Sequence, residues 1–232
     1  MLEALDSTRQ AMDPSALEPV TMPDTEVEVW LARLDVDAEQ VGQYANLLSV
    51  DEHERAQRFY FEHDRRRFMV ARGALRTLLA ERLGIPPRTI AFQYSDKGKP
   101  YLAGATLHFN ISHSHERALI AISKTREVGS DIEYVHRKVD YELLAKRYFT
   151  PREYAALEKL PEAQRKRAFF TCWTCKEAVA KATGEGLFAS LGKLEVAASP
   201  GLAIAKNIGD WALYGLKIDD NYVAAAAIST GS

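Results

Sequence analysis

Four residues of this chain have types and spacings that could do chemistry together. They are Asp131 and Glu133 in "VGSDIEYVHRK", and Glu177 and Lys181 in "WTCKEAVAK". On a strand, side chains at i and i+2 share one face, so Asp131 and Glu133 stand side by side with Ile132 turned into the core. Like charges placed this way repel unless a cation lies between them. Trp173, Glu177 and Lys181 are spaced i, i+4, i+8 and lie along one helix face. A surface Glu–Lys pair would be worth only a few tenths of a kcal/mol. The neighbouring Phe169, Phe170 and Trp173 instead predict a largely buried helix, in which a carboxylate needs a partner. Packed over the "GSDIE" strand, that helix would bring Glu177 to Asp131 and Glu133. Three carboxylates form a hard-oxygen site of the kind that suits Mg²⁺, with water and phosphate completing the shell.

Basic and hydroxyl residues suggest what such a metal would hold. The first half carries Arg55, Arg58, Arg65, Arg66, Arg67 and Arg72, and "DKGKP" presents Lys97 and Lys99 in a turn. "FNISHSHE" adds Ser112, His113, Ser114 and His115 at the end of an apolar strand. Arginines, a loop lysine, hydroxyls and a histidine suit phosphate recognition. The arginine run has two other readings, a solvated helix face or a nucleic-acid patch, and His113 read alone could be a hydrogen-bonded structural residue. Zinc is a poor fit, because alternation turns His113 and His115 to one face and His108 to the other, with no nearby cysteine. "CWTC" has redox-type spacing, but Cys172 and Cys175 fall inside a helix rather than at its N-terminus. They read as buried small hydrophobes.

The elements that must position these groups occur twice. "TEVEVWLARLDV" and "TREVGSDIEYV" are strands about 100 residues apart. Each precedes a capping box, Ser49 with Glu52 and then Thr150 with Glu153, the latter with Pro151 at the favoured first helical position. A long helical segment follows in each half, ending at Gly84 and near Gly184, and each half closes on strand, turn and strand. The reading is α+β, two similar α+β halves forming a pseudodimer. Residues 1–24, with three prolines among polar residues, read as a flexible arm, 25–124 as the N-terminal half and 125–232 as the C-terminal half. The active site is expected at their interface. A net charge of −2 and 47% hydrophobic residues describe an ordinary globular chain and give no sign of a bulk polyanion binder. No export signal and no membrane-length apolar run are visible, and two cysteines suit a reducing cytoplasm.

In combination and in order, "GKP", "FNISHS", "GSDIE" and "WTCKEAVAK" resemble the surfactin-synthetase-type 4′-phosphopantetheinyl transferases. The resemblance runs from about Arg55 to Gly186, and the two-half organisation extends it over nearly the whole chain. The helix signature W-x-x-K-E-A-x-x-K is met by Trp173, Lys176, Glu177, Ala178 and Lys181. The strand signature departs at Ser130, where the family usually has Val or Ile. The family's half-length relatives are trimers, so a two-half chain implies a monomer that folds as a pseudodimer.

The resemblance implies transfer of 4′-phosphopantetheine from coenzyme A to a serine hydroxyl of an apo acyl or peptidyl carrier protein, releasing adenosine 3′,5′-bisphosphate. It implies Mg²⁺ held by Asp131, Glu133 and Glu177 on the coenzyme A pyrophosphate. Lys181 would reach the pyrophosphate oxygens, and Glu177 or a metal-held water would take the serine proton. Lys99, Ser112, His113 and Arg55 match positions that grip the nucleotide, His113 and Arg55 at its 3′-phosphate. The family often has a second basic residue three positions before Arg55, where this chain has Glu52. Glu153 matches an acid near the nucleotide. Fatty-acid, polyketide and nonribosomal-peptide carriers all remain open as substrates, with no nucleic acid or membrane as partner. Two rivals stand beside this reading: a metal-dependent phosphohydrolase or nuclease using the same acids, and a non-catalytic coenzyme A or carrier-binding module.

Overall fold

The structure, a computed structural model, describes residues 16–104, 107–184, 194–196 and 206–231. The chain builds two four-stranded antiparallel sheets, each served by one long helix. The first comprises β1 (Leu17–Val20), β2 (Val27–Arg33), β5 (His108–Ser114) and β6 (Arg117–Ser123), in the order β1-β2-β6-β5. The second comprises β7 (Val128–Tyr134), β8 (Lys206–Ile208), β9 (Trp211–Leu216) and β10 (Tyr222–Ser229), in the order β7-β10-β9-β8. A short ribbon pairs β3 (Gln93–Tyr94) with β4 (Pro100–Tyr101). Among the described residues the α-helices are α1 (Ala38–Ala45), α2 (Val50–Gln57), α3 (Glu62–Leu83), α4 (Tyr141–Tyr148), α5 (Pro151–Glu158) and α6 (Glu162–Thr183). Among the described residues no helix is long and apolar enough to cross a membrane.

Alternation along the strands sorts three apolar clusters. Ala118, Ile120 and Ile122 of β6 face α3 with Leu75, Leu78 and Leu79. Leu119 and Ala121 turn the other way, to meet Val128 and Ile132 of β7 and Ala224 and Ala226 of β10. Ala225 and Ala227 lie beneath α6 with Cys175, Ala178 and Val179. β10 is therefore buried on both faces, which explains why "YVAAAAIS" shows no polar alternation. Its alanines let a sheet and a helix approach from opposite sides.

Both capping boxes form, and both long helices end on a left-handed glycine, Gly84 with φ 65° and Gly184 with φ 68°. That conformation suits a residue with no Cβ. The two capping acids also receive a cation from the long helix of their own half. Glu52 accepts Arg72 Nε at 2.9 Å and Arg76 Nε at 2.6 Å. Glu153 accepts Lys176 Nζ at 2.8 Å and the Val196 N–H at 2.6 Å. All five charged side chains are buried, so Glu52, standing where the family often has a base, is part of the core of the first half.

One segment differs from the sequence reading. Within the expected arm of residues 1–24, Leu17–Val20 forms the edge strand β1, paired antiparallel to β2. Pro19 is tolerated there because only an edge strand can spare a backbone N–H. Residues 1–15 of that arm lie outside the described residues.

Candidate active site

The site forms where β5, the edge of the first sheet, runs beside β7, the edge of the second. Polar side chains at every second residue of β5 stitch the two edges together. Asn110 Oδ1 accepts both the N–H of Ser130 at 3.0 Å and its hydroxyl at 3.2 Å. Ser112 Oγ donates to Asp131 Oδ1 at 2.7 Å, and Ser114 Oγ donates to Glu133 Oε2 at 2.8 Å. Ser114 Oγ also accepts the Tyr134 N–H at 3.1 Å. Ser130 thus uses its hydroxyl where the family usually carries an aliphatic side chain.

The helix comes down onto this seam because Gly129 has no side chain. A Cβ built there would lie 2.1 Å from the Ala178 carbonyl oxygen and 2.4 Å from the Ala182 nitrogen. Such an approach sets Glu177 and Lys181 of α6 over Asp131 and Glu133 of β7. Asp131 and Glu133 face the helix while Ile132, fully buried, packs between the halves.

Two cations meet the strand carboxylates. Lys181 Nζ donates to Asp131 Oδ1 at 2.5 Å and to Ser112 Oγ at 2.9 Å. Arg137 Nη1 donates to both oxygens of Glu133 at 2.8 Å. The negative charge is nevertheless not fully relieved. Burial, then the charges of Asp131 and Glu133, push the Glu177 carboxyl from its ordinary 4.5 up to about 8 against the pull of Lys181. Burial and Asp131 raise Glu133 as well, with Arg137 and Ser114 opposing. For Lys181, burial works to lower the pKa but is outweighed by Asp131 first, then Glu177 and Glu133, and the net shift is upward.

The expected nucleotide residues are spread along the same cleft. Lys99 Nζ donates to Glu127 at 2.9 Å and to the Ala182 carbonyl at 2.8 Å, tying the β3–β4 turn to the end of α6. Beside it a cavity of about 280 Å³ is bounded by Lys97, Lys99, Asn110 and Lys181. His113 points away from the seam into a cavity of about 400 Å³ with Phe59, Arg67, Tyr134 and Arg137. Its outer edge is exposed, yet loss of water around the ring and then Lys181 lower its pKa, and Arg55 adds to that effect from nearby. Arg55 itself lies over the Phe68 ring at 5.4 Å. Ser112 is buried within the carboxylate network. Glu153 is buried with both oxygens engaged by Thr150, Lys176 and Val196. Cys172 and Cys175 are buried inside α6, and burial, followed by Glu153, holds the Cys172 thiol well above its ordinary value.

Among the described residues, no group of three or more His, Cys, Asp or Glu side chains is arranged as a closed metal site. Asp131 is paired instead with Lys181, and Glu133 with Arg137. The donor set still fits a hard divalent cation by its chemistry. Asp131 Oδ2 is buried and accepts no hydrogen bond, and burial, followed by the charge of Asp131, raises the Glu177 carboxyl to about 8.

Residues 127–227 match the 4′-phosphopantetheinyl transferase superfamily, and residues 36–125 match the 4′-phosphopantetheinyl transferase N-terminal family. The chain is 45% identical over 215 residues to the 4′-phosphopantetheinyl transferase HetI of Nostoc sp., covering 90% of each chain. The chain belongs to the 4′-phosphopantetheinyl transferase family. It is also 37% identical to a putative 4′-phosphopantetheinyl transferase of Synechocystis sp., over 72% of this chain and 68% of the relative. With the 4′-phosphopantetheinyl transferase of Bacillus subtilis it shares 34% identity over 64% and 66% respectively. As a transferase of this family it is an enzyme that moves the phosphopantetheine group of coenzyme A onto carrier proteins. Its two α+β halves correspond to the two matched regions.

The candidate site holds two residues that the sequence reading did not single out, Arg137 and Asn110, and it uses Ser114, read there as a hydroxyl for phosphate, to hold Glu133. Arg137 lies four residues after Glu133, beyond the strand, and its reach back depends on the turn at Tyr134–His136. Asn110 had a signal in retrospect, because Asn110, Ser112 and Ser114 share one face of their strand.

Proposed function

We propose that the cleft between β5, β7 and α6 is the reaction centre of this transferase, and that it acts on a serine hydroxyl of an apo acyl or peptidyl carrier domain. The observation that carries this reading is the set of three buried carboxylates, Asp131, Glu133 and Glu177, facing one lysine between two cavities. Asp131, Glu133 and Glu177 would hold Mg²⁺, which supplies charge stabilisation to phosphoryl transfer when bound. Lys181, charged and aimed at this centre, binds the pyrophosphate oxygens and steadies the charge that grows on the leaving phosphate. Glu177, in its ionised form, would take the proton of the incoming serine. Lys99, Ser112, His113 and Arg55 orient the nucleotide, the last two at its 3′-phosphate.

Within the family we place the chain with the surfactin-synthetase type. The two-half architecture and the ordered GKP, FNISHS, GSDIE and WTCKEAVAK segments support that placement, and they support a monomer with residues 25–124 and 125–232 as its halves. The test is the intact mass of an apo carrier protein incubated with the enzyme, coenzyme A and Mg²⁺, with a chelator control. A gain of one phosphopantetheine that is lost with chelator is expected. Hydrolysis of coenzyme A with no gain on any apo carrier would overturn the reading.

A further inference from the structure

The ribbon whose turn carries Lys97 and Lys99 is too small to hold itself in place. Its strands pair only Gln93 with Tyr101 and Tyr94 with Pro100. An isolated two-stranded ribbon is marginal in water, so other elements must fix it. Its root is fixed from α3. Arg72 Nη2 donates to the Tyr94 hydroxyl at 2.5 Å, and the Arg72 guanidinium lies 4.4 Å from the centre of the Phe92 ring. Arg76 Nη1 donates to the carbonyls of Pro87 at 2.7 Å and Ile90 at 3.0 Å, in the segment leading to the ribbon. The turn at the tip is closed internally. There the Gly98 N–H donates to the Ser95 carbonyl at 2.8 Å, and the Lys99 N–H donates to Ser95 Oγ at 3.1 Å.

The Lys99 side chain ties that tip to the second half. Lys99 borders two cavities, the one of about 280 Å³ that it shares with Asn110 and Lys181, and one of about 510 Å³ with Tyr101, His108, Phe109 and Trp211. A flexible lysine stem could serve either. Its contacts remove the choice. Nζ donates to Glu127 Oε2 at 2.9 Å and to the Ala182 carbonyl at 2.8 Å, and a Cβ on Gly184 would lie 3.5 Å from Lys99 Cδ. The Ala182 carbonyl belongs to the last turn of α6, where carbonyls lack helical partners and the helix dipole is negative. An ammonium has three N–H donors, so one is left for an anion. Glu127 is itself fixed, because its carbonyl accepts the Ser229 N–H at 3.0 Å and His108 Nδ1 lies 3.1 Å from its Oε1. Burial works to raise the Glu127 carboxyl, but Lys99 and then His108 outweigh it, and the net shift is downward. Half of the Glu127 side chain is exposed, and ion pairs of that kind add little to stability. What this pair decides is where the ammonium stands.

We propose that Glu127 is a positioning residue, which fixes the Lys99 ammonium between the two cavities so that coenzyme A meets it already in place. Orientation settled before binding need not be imposed during it. This rests on the reading of Lys99 as a nucleotide-binding residue above, and the test separates the two.

Coenzyme A binding would be measured by titration calorimetry, and transfer with coenzyme A varied at saturating carrier, for the wild type, Glu127→Ala, Glu127→Gln and Lys99→Met. Glu127→Ala is expected to raise the Kd and the KM for coenzyme A about fivefold, with kcat, the carrier KM and the Tm unchanged. Glu127→Gln keeps an acceptor oxygen for Nζ and should stay within about twofold of the wild type. Lys99→Met should weaken coenzyme A binding at least as much as Glu127→Ala does. If Lys99→Met weakens binding and Glu127→Ala leaves it unchanged or tighter, Glu127 is no positioning residue and the role of Lys99 stands. If Lys99→Met leaves binding unchanged, the nucleotide role of Lys99 falls and this proposal with it. A lower Tm in Glu127→Ala, with kcat and the carrier KM shifting alongside, would make Glu127 a structural tie and overturn the proposal.

Discussion

Raising the pH in the presence of chelator should destabilise this fold through Glu177. Its carboxyl sits at about 8 in the folded chain against an ordinary 4.5. Between those values the folded state binds more protons than the unfolded one, so stability is lost as pH rises through the window. Each pKa unit is worth about 1.4 kcal/mol, so from pH 5.5 to pH 8.5 the loss is on the order of 3 kcal/mol. For a chain of this length that corresponds to a fall in Tm of roughly 6–12 °C. Glu133, also raised, adds in the same direction. His113 is lowered, so it works the other way, and only below its ordinary 6.5.

The assay is thermal unfolding at pH 5.5, 7.0 and 8.5, in chelator and in Mg²⁺, for the wild type and for Glu177→Gln. The wild-type slope should be steep in chelator and shallow in Mg²⁺, because a cation held by the ionised acids relieves the repulsion. The variant should be shallow in both. Equal slopes in chelator for the wild type and Glu177→Gln would refute the argument that Glu177 is crowded by Asp131 and Glu133.

Other outcomes follow from the packing. Gly129→Ala would drive a Cβ to 2.1 Å from the Ala178 carbonyl, so α6 must lift off β7. Transfer should be nearly lost, with a destabilisation of about 3 kcal/mol or more by chemical denaturation. Glu52→Gln leaves Arg72 and Arg76 buried beside a neutral group and should destabilise by about 3–5 kcal/mol. Asn110→Ala removes the acceptor of two Ser130 bonds at the seam and should cost about 2 kcal/mol, read from the urea midpoint. Asp131→Ala should abolish transfer while far-ultraviolet circular dichroism stays native, and wild-type-like turnover would remove the metal-site argument.

Much of the site was legible in the sequence because its parts are local. Asp131 and Glu133 are two apart on a strand, and Glu177 and Lys181 are four apart on a helix, so each pair's shared face follows from the period alone. Both capping boxes and both terminal glycines were legible for the same reason. The second use of the capping acids was not, because Glu52 meets Arg72 and Arg76, and Glu153 meets Lys176, across more than a dozen residues of chain. Edge strand β1 escaped the reading because Pro19 and the polar residues around it resemble a loop, and only an unpaired β2 edge gives them a partner.

The bland alternative for Glu177 and Lys181, a helix-surface ion pair, illustrates the limit of local reasoning most clearly. The i,i+4 spacing is genuine, yet the lysine leaves its own helix and bonds Asp131 of β7. What decides between these partners is Gly129, a residue with no side chain to report its importance. By letting the Ala178–Ala182 backbone rest on the strand, it brings four charges into one volume and leaves too little room for water to screen them. The same contact crowds like charges that Lys181 only partly offsets, so position 129 controls how strongly the cluster repels itself.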